Sequence, residues 1–191
     1  TDVFGIPGVV VMDFLYAVDK RKPEITPHLC YHEQAAAFAA CGYAQDNGKL
    51  GVAYSTRGPG VTNMMTAIAD AYYDSIPVMF ITAHSCEKIE DGMRVMNNQE
   101  IDTVGLVKNI TKRAVRIDKL EDFQREVILA YNEATQGRKG PVFLDIYNKL
   151  FGNEVDNIII DNIDASEYSI DVKELVDEIE KEISEAKRPI F

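Results

Sequence analysis

The stretch "LGVAYSTRGPGVTNMMTAIADAYYDSIPVMFITA", residues 50–83, carries the pattern that decides the fold. Two short apolar runs, residues 50–56 and 77–83, flank a helical pattern that follows the turn "TRGPG". Both runs are nearly continuous in hydrophobic residues, as is typical of strands that are buried on both faces of a sheet. Strand, helix and strand in this order predict two parallel strands joined by a helix.

The same alternation extends along most of the chain. Further strands are predicted at "DVFGI", "PHLCYH" and "PVFLDI", and an edge strand at "TKRAVRI". Helical patterns cover residues 9–19, 33–46, 61–74 and 119–136. The sequence therefore predicts an α/β fold, with a parallel sheet of about six strands and helices on both faces.

The pattern changes after residue 151. Residues 152–168 are polar and acidic without periodicity, which indicates an acidic linker, and a C-terminal helix follows with an apolar stripe at helical spacing. The stripe consists of Val172, Leu175, Val176, Ile179 and Ile183. We expect one domain at 1–151 and, at 152–191, a linker, a helix and the start of a further domain of a longer protein.

Charge and composition exclude several classes of function. The net charge is −11, but residues 1–152 hold 19 acids against 16 Lys or Arg, so the acidity belongs to the C-terminal segment. No basic face for nucleic acid is visible, and no apolar run is long enough to span a bilayer. Three cysteines without a C-x-x-C pair are typical of reduced thiols, so we expect a cytoplasmic protein.

Three short motifs resemble known sites but lack an essential residue. "HEQAA" has Ala36 where a zinc protease needs its second histidine, so no zinc site is predicted. "TRGPG" opens a helix and could hold a phosphate, but it lacks the G-K-[S/T] ending of a P-loop. The histidines show no metal-ligand spacing, so the sequence predicts no metal ligand.

Glu33 is the strongest candidate for chemistry. The simple interpretation is a helix N-terminal acid that interacts with the helix dipole, worth about 0.3–1 kcal/mol. However, small residues share its face of the helix and would let another backbone or a flat ligand come close: Ala36, Ala37, Ala40 and Ala44. A carboxylate that loses water in such a place would exchange protons nearer to neutrality.

A family resemblance supports the second interpretation. The segments "VFGIPG" (3–8), "YHEQAAAFAACGYAQ" (31–45), "STRGPGVTN" (55–63), "NQEIDTVGLVKNITK" (98–112) and "GRKGPVFLDI" (137–146) occur in this order. As a set, they resemble the pyrimidine-binding domain of thiamine-diphosphate enzymes, in the acetolactate-synthase-like group. The resemblance covers essentially all of residues 1–150.

The resemblance implies a role for each matching residue. Glu33 would hydrogen-bond the aminopyrimidine of thiamine diphosphate and so activate the cofactor for attack on a 2-oxo acid. Residues implied near the cofactor are Pro7, Gly8, Pro59 and Asn63, and Gln99 would reach toward the active site. Four positions depart from the family pattern on the substrate side: Val9, Arg57, His84 and Asn98.

Half of the cofactor site is missing from the sequence. The family binds Mg²⁺ and the diphosphate through a G-D-G motif that does not occur here. The resemblance therefore implies a diphosphate-binding domain in the same or a neighbouring subunit, a homodimer or homotetramer at full length, and no catalysis by this chain alone. FAD use stays open. The alternatives are a natural split subunit of a 2-oxo acid decarboxylase and a non-catalytic α/β interaction module.

Overall fold

The computed structural model describes residues 1–85, 97–153 and 172–188, with the side chains of the last stretch described from residue 176. The chain divides into two compact units, Thr1–Ile160 and Asp161–Phe191. The linker predicted at 152–168 lies outside the described residues from position 154 onward. The domain boundary predicted after residue 151 stays a prediction.

The first unit is built on a six-stranded sheet in the order β2-β1-β3-β4-β6-β5, in which every neighbouring pair is parallel. The predicted α/β fold and the number of strands are therefore confirmed. "TKRAVRI" supplies β5, which lies at the sheet edge as predicted. The strands are β1 Asp2–Gly5, β2 Thr26–Leu29, β3 Gly51–Tyr54, β4 Val78–His84, β5 Arg113–Ile117 and β6 Val142–Tyr147.

The helices follow the predicted pattern with one addition. The short helix Thr103–Val107, α4, was not predicted, because five residues are too few for a helical period to be visible. Short 3-10 turns at Val9–Val11, Lys108–Ile110 and Asn148–Leu150 extend the ends of neighbouring elements. The helices are α1 Met12–Lys20, α2 Glu33–Asn47, α3 Pro59–Tyr73, α4 Thr103–Val107, α5 Leu120–Thr135 and α6 Val172–Glu185.

Helices cover both faces of the sheet, which confirms the predicted layers. In β4, Val78 and Phe80 belong to a core cluster with residues of α2 and α3, whereas Met79 and Ile81 belong to a second cluster with residues of α1 and α5. Alternate residues of a strand point to opposite faces, so the two clusters are the two sides of the sheet. Burial on both sides explains the near-continuous apolar strand sequences.

In the second unit, α6 is amphipathic. The described part of the predicted stripe, Val176, Ile179 and Ile183, is 43%, 48% and 42% exposed. The C-terminal helix is therefore present, with an apolar stripe and a strongly acidic remainder. Over the part of the chain that the structure describes, no helix is both long and apolar enough to cross a membrane.

Candidate functional site

The predicted site residues lie mostly on loops at the carboxyl ends of the parallel strands. In parallel sheets, ligands bind at this edge, where the strand order reverses direction. The reversal here falls between β1 and β3, which are neighbours although β2 lies between them in sequence. The loops that follow these two strands touch, because a Cβ at Gly8 would lie 2.6 Å from Cβ of Thr56. Pro7 and Gly8 are thereby brought beside the "TRGPG" loop.

Glu33 and Asn63 are joined directly. Glu33 is the first residue of α2, and its neighbour His32 caps the helix by accepting a hydrogen bond from the backbone N–H of Gln34 at 3.2 Å. Nδ2 of Asn63, the fifth residue of α3, donates to Oε2 of Glu33 at 2.9 Å. Oε1 of Glu33 has no hydrogen-bond partner among the residues that the structure describes. The carboxylate is thus held at one oxygen and open at the other.

The alanines of α2 face the core of the domain. Ala36, Ala37, Ala40 and Ala44 are all at most 2% exposed, and the last three lie in the cluster shared with α3 and the sheet. The sequence left open whether another backbone or a flat ligand packs against these alanines. The structure shows a backbone, because Gly51 of β3 lies against the carbonyl group of Ala40. The alanines therefore bring α2 close to the sheet, and they form no ligand surface. Glu33 itself is half-buried, so the described residues do not enclose it.

The "TRGPG" loop is packed against a segment that is 40 residues away in the sequence. Gly58 has φ +59°, and a Cβ at this position would overlap the backbone carbonyl oxygen of Gln99. Gln99 also has φ +59°, a left-handed conformation that costs a non-glycine residue about 1 kcal/mol or more. Pro59 and the side chain of Gln99 are exposed at this contact. The structure therefore brings Pro59 and Gln99 to one wall of the candidate site.

Behind this wall lies a carboxylate that the sequence analysis missed. Glu100 is 2% exposed, and its Oε2 lies 3.3 Å from Nη1 of Arg57. The same oxygen accepts from the backbone N–H and the hydroxyl group of Ser85, at 3.4 and 3.3 Å. Arg116 approaches Oε1 at 4.0 Å. The sequence held one sign of this site, since Glu100 directly follows the predicted site residue Gln99. Its partners could not be read from the sequence.

His84 is buried between two acids. Its ring is 1% exposed, with Nδ1 3.0 Å from Asp145 and Nε2 3.0 Å from Asp118, and it stacks on Tyr147 with ring centroids 5.6 Å apart. Thr103 donates to the other oxygen of Asp145 at 2.5 Å. Each ring nitrogen thus faces a carboxylate oxygen, and the ring is held from both sides. The substrate-side role predicted for His84 stays a prediction.

Burial also fixes the protonation of two groups near the sheet. Burial raises the pKa of the Tyr54 hydroxyl group at the end of β3, and the charge of Cys30 adds to the effect. Burial raises the pKa of the Cys41 thiol in α2 to about 12, with a smaller contribution from Asp70. Both groups therefore stay neutral near pH 7.

Among the described residues, no group of three or more His, Cys, Asp or Glu side chains could hold a metal ion.

Comparison with known sequences gives the class of this α/β domain. Residues 1–106 match the family described as "Thiamine pyrophosphate enzyme, N-terminal TPP binding domain", and the chain belongs to that family. The family resemblance stated from the motifs is therefore confirmed.

Relatives of the chain within this class include acetolactate synthases. The chain is 42% identical over 144 residues to "Acetolactate synthase isozyme 2 large subunit" of Escherichia coli, which covers 75% of this chain and 25% of that protein. It is 37% identical over 192 residues to "Acetolactate synthase large subunit" of Lactococcus lactis, a match that covers 99% of this chain and 33% of that protein. For "Acetolactate synthase 1, chloroplastic" of rice, the identity is 40% over 146 residues, and the match covers 76% of this chain and 22% of that protein. The chain thus spans at most a third of these relatives' length.

Proposed function

We propose that this chain supplies the aminopyrimidine half of a thiamine diphosphate site in a longer enzyme that acts on 2-oxo acids, as a carboligase or decarboxylase of the acetolactate-synthase type. The observation that supports it best is the carboxylate of Glu33, which Asn63 holds at one oxygen while the other has no partner among the described residues. A carboxylate in this state fits a ring nitrogen that presents an N–H.

The residues of this chain would bind and orient the cofactor. Asn63 would keep the Glu33 carboxylate in one rotamer, so that its second oxygen accepts a hydrogen bond from the pyrimidine ring. Pro7, Gly8 and Pro59 would form the backbone walls on either side. Thiamine diphosphate, when bound, supplies the carbon nucleophile that no protein side chain provides.

Several finer features belong to the same proposal. Gln99 and Arg57 would face the small 2-oxo acid substrate, and His84 would act on it through neighbouring groups. The diphosphate and Mg²⁺ would be held by a domain of the same or a neighbouring subunit in a cytoplasmic homodimer or homotetramer. Because that half of the site is absent from these 191 residues, the chain alone would be inactive. The proposal leaves FAD open.

The test is Glu33→Gln in the full-length protein, with exchange of the cofactor's C2 proton for deuterium as the measurement. Glutamine keeps the volume but loses the charge, so we expect exchange to slow by about 10²-fold or more. Glu121→Gln is the matched control, since Glu121 also lies in the first turn of a helix, α5, and is exposed. Equal exchange in wild type and Glu33→Gln would refute the proposal and leave Glu33 as a helix-end charge.

A further inference from the structure

The buried carboxylate of Glu100 lies behind the wall that Pro59 and Gln99 form, and it contacts the segments that carry this wall. Glu100 contacts three different segments: Arg57 in the loop after β3, Ser85 after β4, and Arg116 in β5. Arg57 also donates to the hydroxyl group of Ser85, and Asn97 donates to the same hydroxyl group at 3.0 Å. The three segments that Arg57, Ser85 and Arg116 belong to are far apart in sequence, and all three meet at this carboxylate.

We infer that Glu100 is a positioning residue, which holds Gln99 and the "TRGPG" loop in the geometry that receives the 2-oxo acid; this inference rests on the proposed function. Glu100 directly follows Gln99, whose left-handed backbone presses its carbonyl oxygen against Gly58. The conformation of Gln99 is unfavourable by itself and persists only where the surroundings enforce it. The fully buried carboxylate next to it is the group that fixes this backbone to both neighbouring loops.

The charges explain why the contact is hard to replace. Glu100 is 2% exposed, whereas the side chains of Arg57 and Arg116 are 14% and 12% exposed. Arg116 would keep Asp118, which lies 3.0 Å from its Nε, but the largely buried guanidinium group of Arg57 would lose the charge of its acid. Arg57 would then shift, and the "TRGPG" loop, of which it is part, would shift with it. A displacement of about 1 Å in a substrate-binding wall is enough to change turnover severely.

The test is Glu100→Gln in the full-length protein, with Glu126→Gln as the matched control. Glu126 is also a buried glutamate, 6% exposed and paired with an arginine, Arg113, but it lies in α5 away from the wall. We expect Glu100→Gln to raise KM for the 2-oxo acid about tenfold or more. C2 exchange of the cofactor should slow far less than the about 10²-fold expected for Glu33→Gln, because Glu33 and Asn63 are untouched. Glu126→Gln should lower the melting temperature and leave both kinetic quantities unchanged.

A second readout does not depend on activity. Hydrogen exchange of the backbone amides at 55–60 and 97–102 should accelerate about tenfold in Glu100→Gln and stay unchanged in Glu126→Gln. Ser85→Ala, which removes one hydroxyl group from the cluster, should accelerate the same amides more weakly and serves if Glu100→Gln does not fold.

The two hypotheses fail in different ways. If wild type acts on no 2-oxo acid, the proposed function fails, and the exchange pattern still tests whether Glu100 holds the wall. If Glu100→Gln and Glu126→Gln show the same kinetics and the same exchange pattern, Glu100 is only a structural ion-pair partner and the inference is overturned.

Discussion

Asn63 and Glu33 join two neighbouring helices through a single hydrogen bond, Nδ2 to Oε2 at 2.9 Å. The two residues are 30 positions apart: Glu33 is the first residue of α2 and Asn63 is the fifth residue of α3. Because Asn63 is exposed and this is its one side-chain hydrogen bond among the residues that the structure describes, its loss should affect the orientation of the carboxylate more than the stability of the fold.

The first prediction concerns this bond. In the full-length protein, Asn63→Ala should slow C2 exchange of the cofactor by about tenfold, because the Glu33 carboxylate loses its fixed rotamer. The melting temperature should change by no more than it does in Asn47→Ala, which removes an exposed asparagine bonded to the Tyr43 carbonyl group at the other end of α2. An unchanged exchange rate would show that Glu33 needs no support from Asn63.

The second prediction concerns the missing half-site. The isolated 191-residue chain should bind thiamine diphosphate weakly and without dependence on Mg²⁺, because it lacks the G-D-G motif that holds the metal and the diphosphate. Titration calorimetry with and without Mg²⁺ measures this, with the full-length protein as the control. Tight, Mg²⁺-dependent binding to the short chain would contradict the prediction.

The third prediction concerns the Gly58 contact with Gln99. Both Gly58 and Gly48 have a positive φ, +59° and +66°, but only Gly48 of the two is in the left-handed helical region, since ψ of Gly58 is −110°. A Cβ at Gly48 meets nothing within 4 Å. Gly48→Ala should therefore cost only the conformational strain, about 1 kcal/mol. Gly58→Ala adds an overlap with a backbone carbonyl group and should cost clearly more, about 3 kcal/mol in total. Urea unfolding measures the free energy of unfolding of the two variants. Equal losses would mean that the "TRGPG" loop moves away from Gln99 without a loss of stability.

The fold was predictable because its signal is local. Near-continuous apolar strands such as "PVMFITA", each followed by a helix, predict parallel strands without any knowledge of pairing. The cluster of polar contacts around Glu100 was not predictable, because it joins residues from the loops after β3 and β4 and from β5, which are far apart in the sequence. Asp145, a lone acid inside the apolar run "PVFLDI", was a visible sign that a buried partner exists, and that partner is His84.

The alanines of α2 show how a correct pattern can suggest the wrong neighbour. Their spacing places Ala37, Ala40 and Ala44 on one face, as the sequence indicates. Small side chains on a helix face permit close approach, but the sequence does not say of what. In the structure, the sheet and α3 occupy this face, so only Glu33, at the first position of the helix, is left at the site.

The last prediction follows from the buried thiol of Cys41. Burial, with a smaller contribution from Asp70, raises its pKa from 9.0 to about 12, whereas Cys30 is half-buried at the end of β2. At pH 8 the thiolate fraction of Cys41 should be about 10³-fold lower than that of an ordinary thiol, because each unit of pKa is a factor of ten. Iodoacetamide should therefore modify Cys30 at least 10²-fold faster than Cys41 in the native protein, as peptide mass mapping measures.

The same shift sets the direction of a pH effect on stability. A thiol that ionises near pH 9 when unfolded and near pH 12 when folded favours the unfolded chain between these values. Its contribution to the free energy of unfolding is complete below pH 9 and is lost as the pH rises toward 12. Cys41→Ala should therefore show a shallower loss of stability over this range than wild type. Equal slopes of stability against pH in wild type and Cys41→Ala would contradict the raised pKa of the Cys41 thiol. Equal iodoacetamide labelling of Cys30 and Cys41 without denaturant would show that α2 opens often enough to expose Cys41 to solvent.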